Sequence, residues 1–179
     1  ESQLQYFLQW NQLIYKDELN TMWKVAGYTG MRRGEVAALK WSDVISAEGV
    51  VKSEVMLAPE QVKFGHARAV FINDKLRREL TMYIKTVKQR SPELPLFRTQ
   101  KQQGFSANTL CQHFYWLYKR AGIDGASSHS GRRTFITTLA SKGVGVRVLA
   151  ALAGRRSIAT TQAYIDVNDD MKRRAVELA

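Results

Sequence analysis

Gly154-Arg155-Arg156-Ser157-Ile158-Ala159-Thr160-Thr161-Gln162-Ala163-Tyr164, downstream of His129-Ser130-Gly131-Arg132, is the stretch on which the reading of this chain turns. It places a tyrosine behind a glycine, a pair of arginines and a short helical pattern. A phenol, with an ordinary pKa of ~10, is a poor nucleophile at neutral pH, so a covalent role for Tyr164 needs cations and proton acceptors supplied from elsewhere in the chain. Without them, a tyrosine on a late helix is ordinarily a partly buried packing residue.

Composition narrows the search for such partners. With 179 residues, 45% of them hydrophobic, the chain suits one domain with a substantial core. A formal net charge of +11 favours a polyanionic partner, nucleic acid first and an anionic membrane second. No run approaches the ~18 apolar residues needed to span a bilayer, and no signal-peptide pattern opens the chain. The expectation is a soluble intracellular protein. Cys111 is the only cysteine, and His66, His113 and His129 are scattered outside zinc spacing, so neither an internal disulfide nor a protein-held metal is expected. The chain starts at Glu1 directly in helical pattern, as expected of a domain excised from a longer chain.

Leu4, Phe7 and Leu8, then Leu19, Met22, Trp23 and Ala26, recur at helical spacing and predict two helices with a break near Lys16-Asp17. A short third helix follows from Arg32 to Leu39, with Glu35 one turn after Arg32 as its natural ion-pair partner. Val51, Val55, Val62, Val70 and Ile72, around Pro59 and the Gly65-His66 turn, predict a small antiparallel sheet of two or three strands. Asn73 should cap a helix to about Arg90 with Leu76, Leu80, Tyr83, Ile84 and Val87 on its buried stripe. Ser106 should cap another through about Ala121. Short helices are then expected at about 130 to 141, 146 to 153 and 157 to 165, with a charged last one from about 168. Trp10, Trp23, Trp116 and His113 read as core, and Trp41 as packing behind Arg32. The fold class is mainly α with a small antiparallel β-sheet.

Thr29-Gly30-Met31-Arg32-Arg33-Gly34-Glu35-Val36, with Leu39 and Trp41-Ser42-Asp43, resembles the first arginine box of the tyrosine recombinases, the phage integrase family. His129-Ser130-Gly131-Arg132-Arg133-Thr134-Phe135 resembles their second box, and Ile158 to Tyr164 their nucleophile helix. Gln61 to Val70 is similar to the hairpin that carries their lysine. The resemblance spans nearly the whole chain in the right order. It implies the catalytic-domain fold of the DNA breaking-rejoining enzymes, as one domain over 1–179 without the N-terminal DNA-binding domain of longer members.

The resemblance also assigns roles that fit phosphoryl transfer, which needs an in-line nucleophile, charge stabilisation and a proton for the leaving oxygen. Arg32 and Arg132 would clamp the scissile phosphate through planar, permanently charged forks. Lys63 would be the general acid, His129 would assist proton transfer, Tyr164 would form a 3′-phosphotyrosine, and Glu35 would orient Arg32. Most members have histidine, and some tryptophan, directly after the glycine that precedes the nucleophile helix; this chain has Arg155, expected to keep the hydrogen-bond donor with a fixed charge. No metal or cofactor is implied. The implied partners are double-stranded DNA, further recombinase protomers in a tetramer on DNA and accessory DNA-bending proteins, with no membrane, in the cytoplasm of a bacterium or phage host near the nucleoid.

Other readings stand beside these. Lys63 could simply protect a hairpin edge, with His66 and Arg68 as basic neighbours, and Lys172, Arg173 and Arg174 read as a solvated face. A type IB topoisomerase uses a similar residue set for strand swivelling. A DNA-binding module that has lost its chemistry, or a basic RNA-binding protein, would share the charge.

Overall fold

Met22, Trp23, Val25 and Ala26 are all buried and form the inward stripe of α1 (Asp17–Thr29). The computed structural model describes residues 17–88, 90–99, 101, 103–154, 157–165 and 169–179. The expected first helix, Trp10 and the Arg155-Arg156 pair lie outside the described residues. Gly30 ends α1 at φ +69°, and a Cβ on it would lie 2.6 Å from the Phe135 ring. Two short helices follow, α2 (Arg33–Ala37) and α3 (Trp41–Val44). The helix expected from Arg32 to Leu39 is therefore shorter. Arg32 itself is extended (φ −73°, ψ 151°), and its amide donates to Glu35 Oε2 at 2.8 Å, which closes the helix start.

β1 (Glu54–Leu57) and β2 (Arg68–Phe71) pair antiparallel, Glu54 opposite Phe71 and Leu57 opposite Arg68. In place of a third strand, the described residues hold isolated bridges, Ile45 with Val51 beside this hairpin, and Lys40 with Pro95 and Arg98 with Gly104 elsewhere. Between β1 and β2, Gln61 Nε2 donates to Ala38 O (3.0 Å) and Asp43 Oδ2 (2.7 Å), while its Oε1 accepts from Ala58 N (2.8 Å). These bonds fasten the hairpin base to α2 and α3 and leave Lys63 and Phe64 exposed at its tip.

Asn73 Oδ1 accepts from Leu76 N at 2.9 Å and caps α4 (Asp74–Thr86), whose buried face is Leu76, Leu80, Tyr83 and Ile84. The helix stops at Thr86, short of the expected Arg90. The chain must fold back there so that the amides of Trp41 and Ser42 can donate to Leu94 O and Pro92 O, each at 3.1 Å, and Tyr83 Oη to Leu96 O at 3.0 Å.

Ser106 caps α5 (Ala107–Arg120), which buries Leu110, Phe114, Leu117 and Tyr118. Trp23 Nε1 reaches Tyr118 Oη at 2.6 Å and ties α1 to this helix. Two core expectations fail on it: Trp116 is 52% exposed and His113 is exposed. At 3.6 residues per turn the 110/114/117/118 stripe leaves Trp116 on the far side. Trp116 instead packs edge-on against Tyr115 (5.4 Å) beneath Lys119, and His113 against Phe105 (5.7 Å).

The last part of the chain forms α6 (Ser130–Ser141), α7 (Val146–Leu152), α8 (Ile158–Gln162) and α9 (Asp169–Val176). Ile136, Ala140, Leu149 and Ala153 make a second small core, with Tyr164 and Ile165 packed on it. α6 joins this unit to α1. The segment expected to be helical to 165 is cut at Gln162, and Tyr164 lies in the following turn, its amide donating to Thr161 O at 3.0 Å. Such i to i+3 bonds tighten a helix end and free the next side chain from the helix face. The expected architecture, helices with one small antiparallel sheet, is the observed one.

Gly30→Ala should lower unfolding stability by more than ~1 kcal/mol, because the left-handed backbone and the Phe135 ring both exclude a methyl group. Urea denaturation of the variant beside wild type measures it; an unchanged midpoint would mean that Phe135 yields freely.

Candidate active site

Arg32 leaves the start of α2, His129 sits at the entrance to α6, Arg132 lies in its first turn, and Tyr164 follows α8. Together with Phe64, Arg133, Gly154, Ser157, Thr160 and Ala163 they line one cleft of about 700 Å³. Four of the expected site residues are thus brought together from distant parts of the chain.

Glu35, 1% exposed, organises the basic wall of this cleft. Its Oε2 accepts from Arg68 Nη2 (2.7 Å) and Arg32 N (2.8 Å), and its Oε1 from Arg32 Nη1 (3.2 Å). Burial pushes the Glu35 carboxyl up, but the hydrogen bond and charge of Arg68, then the amide and charge of Arg32, outweigh it and hold the group below its ordinary 4.5. The expected pairing of Glu35 with Arg32 is present, and a second arginine shares it.

Three guanidiniums meet three consecutive carbonyls at the end of α7. Arg68 Nη1 donates to Leu152 O (2.8 Å), Arg132 Nη2 to Ala153 O, and Arg32 Nη2 to Gly154 O (3.5 Å). Arg132 Nη1 also donates to Gly30 O (2.8 Å), and its side chain is buried. The last carbonyls of a helix lack intrahelical donors and carry the negative end of its dipole, which suits cations there. Gly154 takes φ +58°, and a Cβ on it would fall 2.6 Å from Arg68 Cδ, so the turn closes directly over the arginine stem.

Tyr164 is half-buried, with Arg133 Cζ 5.7 Å from its ring centroid. Burial, then the charges of Arg33, Arg132, Arg133 and Arg32, hold the His129 imidazole below its usual value. Lys63 is not among the residues that line the cleft; it stands exposed at the rim, its Nζ 5.5 Å from the centroid of the Phe64 ring, which Arg32 Cζ also approaches at 5.6 Å. Arg155 lies outside the described residues. Among the described residues no group of three or more His, Cys, Asp or Glu side chains could hold a metal ion, and no helix is long and apolar enough to cross a membrane.

Sequence reasoning missed Arg68 and Phe64. Strand alternation held the signal for Arg68: it shares the inward face of β2 with Val70, so a charge there demands a buried partner. For Phe64, 58% exposed at the hairpin tip, no periodicity distinguishes a cleft wall from a loop residue.

A mainly helical domain that folds a tyrosine, a histidine and paired arginines into one cleft has the catalytic-domain fold of the tyrosine recombinases. Residues 6–171 match the model of the phage integrase family, and the chain belongs to that family. It is similar to tyrosine recombinase XerA of Pyrococcus horikoshii, 30% identical over 151 residues that cover 84% of this chain and 50% of that protein. It is also similar to the integrase of Salmonella phage P22, 27% identical over 83% of this chain and 39% of that protein. The chain spans about half the length, or less, of these curated relatives. In fold it is similar to a crystal structure of XerA recombinase, with TM-score 0.78 at 24% identity over 99% of this chain and 63% of the other. The structure of XerH site-specific recombinase bound to palindromic difH substrate matches with TM-score 0.71 at 20% identity, over 97% of this chain and 50% of that one.

Glu35→Gln should destabilise the protein by roughly 3–5 kcal/mol, since it leaves the buried Arg68 charge without its carboxylate. A depressed folded pKa contributes stability that is complete above the ordinary 4.5 and lost as pH falls through the lower folded value. Denaturant titrations across that acid range should show the loss in wild type and lack this component in Glu35→Gln.

Proposed function

We propose that this chain is a single catalytic domain of a site-specific DNA recombinase, which breaks and rejoins strands through a 3′-phosphotyrosine on Tyr164. The observation that carries the reading is the meeting of Arg32, His129, Arg132 and Tyr164 on one cleft, in a chain of net charge +11. Relatives named tyrosine recombinase, a neighbour bound to its difH substrate and a transposon integrase in complex with circular intermediate DNA support it.

In this reading Arg32 and Arg132 stabilise the nonbridging oxygens as charge builds on them. The phosphate competes for guanidinium protons with the Gly154 and Ala153 carbonyls, and the 3.5 Å Arg32 contact is the weaker and exchanges first. Glu35 keeps the Arg32 fork aimed during that exchange. Lys63 reaches from the hairpin tip to protonate the leaving 5′ oxygen, and Arg155 adds a donor with a fixed charge. His129 handles the proton traffic around the phosphate and the phenol. The phosphotyrosine conserves the phosphodiester bond, so a free 5′ hydroxyl reverses the reaction without metal or nucleotide. Double-stranded DNA is the substrate. Further protomers, as a tetramer, and DNA-bending proteins complete the assembly of the whole protein, in the cytoplasm at the nucleoid.

Nicked duplexes with randomised cores, from which the cut fragment escapes, should trap a covalent protein–DNA adduct visible on a denaturing gel. Tyr164→Phe should yield none, and Arg32→Ala or Arg132→Ala should slow trapping on the order of 10²- to 10³-fold. Arg155→Ala should also slow it. Salt-sensitive binding without adduct, equal in wild type and Tyr164→Phe, would overturn the reading.

A further inference from the structure

Arg33 follows Arg32 in sequence but serves a different group. Its Nη1 donates to Ser128 Oγ at 2.9 Å and stands 3.2 Å from His129 Nε2. A guanidinium has only donors and stays charged at any relevant pH. The nitrogen it faces must therefore accept, which leaves the ring proton on Nδ1. From this geometry we propose that Arg33 is a positioning residue: it donates to Nε2 of His129 and holds the ring as the neutral, Nδ1-protonated imidazole, with Ser128 fixing the guanidinium.

The local contacts leave Arg33 little freedom. Nη1 carries two hydrogens, and Ser128 and His129 offer one acceptor to each. Ser128 Oγ is itself approached by Cys111 Sγ at 3.4 Å, so its hydroxyl is anchored from α5. Arg33 Nε is buried without a partner among the described residues, a cost that a purely solvated arginine would avoid by turning outward. Among the described residues, the charges acting on His129 are all cations: Arg32 and Arg33 from the start of α2, and Arg132 and Arg133 from α6. The phenol of Tyr164 shares its cleft. Protonation of Nε2 would break the Arg33 bond and add a fifth positive charge to this group. Burial lowers the imidazole pKa first, and the Arg33 charge second, in accord with that arrangement.

The catalytic meaning rests on the recombinase reading: a neutral imidazole can take a proton at neutral pH, whereas an imidazolium can only give one. The protonation state itself does not depend on that reading. It can be measured by long-range proton–nitrogen NMR of the folded chain, which separates Nε2 from Nδ1 for each histidine, with His66 and His113 as internal comparisons in the same spectra. The expected result is an unprotonated Nε2 and a protonated Nδ1 on His129 at neutral pH. In Arg33→Met the His129 midpoint should rise and the Nδ1 preference weaken, while His66 and His113 stay unchanged. Arg33→Lys, which keeps the charge, should hold the midpoint down. In the adduct assay, the acid limb of the pH–rate profile should move to higher pH in Arg33→Met. A wild-type His129 protonated on Nε2, or a midpoint that does not move in Arg33→Met, overturns the inference. Adduct formation with an unmoved midpoint refutes the role of Arg33 alone; the expected NMR result without any adduct refutes the recombinase reading alone.

Discussion

The carbonyls of Leu152, Ala153 and Gly154 each receive a guanidinium, from Arg68, Arg132 and Arg32, and the geometry of the cleft follows from that grip. Three cations so close would repel one another unless something negative lay between them. Two things do: the dipolar end of α7, and the buried Glu35 carboxylate, which joins Arg32 to Arg68. The arginines come from α2, β2 and α6. The turn ahead of Tyr164 is therefore registered to the helix that carries Arg32, to the hairpin that carries Lys63 and to the helix that carries Arg132. Glu35 touches two of these arginines directly, Arg32 and Arg68.

The cleft lies where two hydrophobic clusters meet. The larger includes Val36 and Ala37 beside Arg32, and the smaller, built on Ile136, Ala140, Leu149 and Ala153, supports the Tyr164 ring. α6 belongs to both neighbourhoods: it packs on α1, its Phe135 ring takes the space that Gly30 leaves open, and its first turn supplies Arg132. A single helix thereby sets both the joint between the clusters and one of the charged groups in the cleft. Charge density, which would destabilise a site made of exposed arginines, is offset by the negative charge of the Glu35 carboxylate and by backbone acceptors.

Much of this was legible locally. Asn73 and Ser106 cap the helices their side chains imply, because a cap is a contact over three residues. The 3.6-residue stripe of α4 and the Arg32–Glu35 pair are equally short-range. The misreadings share a cause. By type alone Trp116 and His113 read as core, yet the face of α5 is set by Leu110, Phe114, Leu117 and Tyr118. The ends of α4 and α8 depend on where the chain must go next, which no window on the helix itself contains.

The sequence by itself determined where the arginine boxes, the histidine and the tyrosine that meet at the cleft lie along the chain, because residue type, cap and periodicity act over a few positions. It also determined the mainly helical class and the excess of positive charge. The tertiary structure alone decided that Arg68 would share Glu35, that Phe64 would stand between Arg32 and Lys63, and that Arg33 would face His129. Except for Lys63 beside Phe64, those contacts join residues tens of positions apart, and they form only when burial of the core and the need to pair every buried charge are satisfied together.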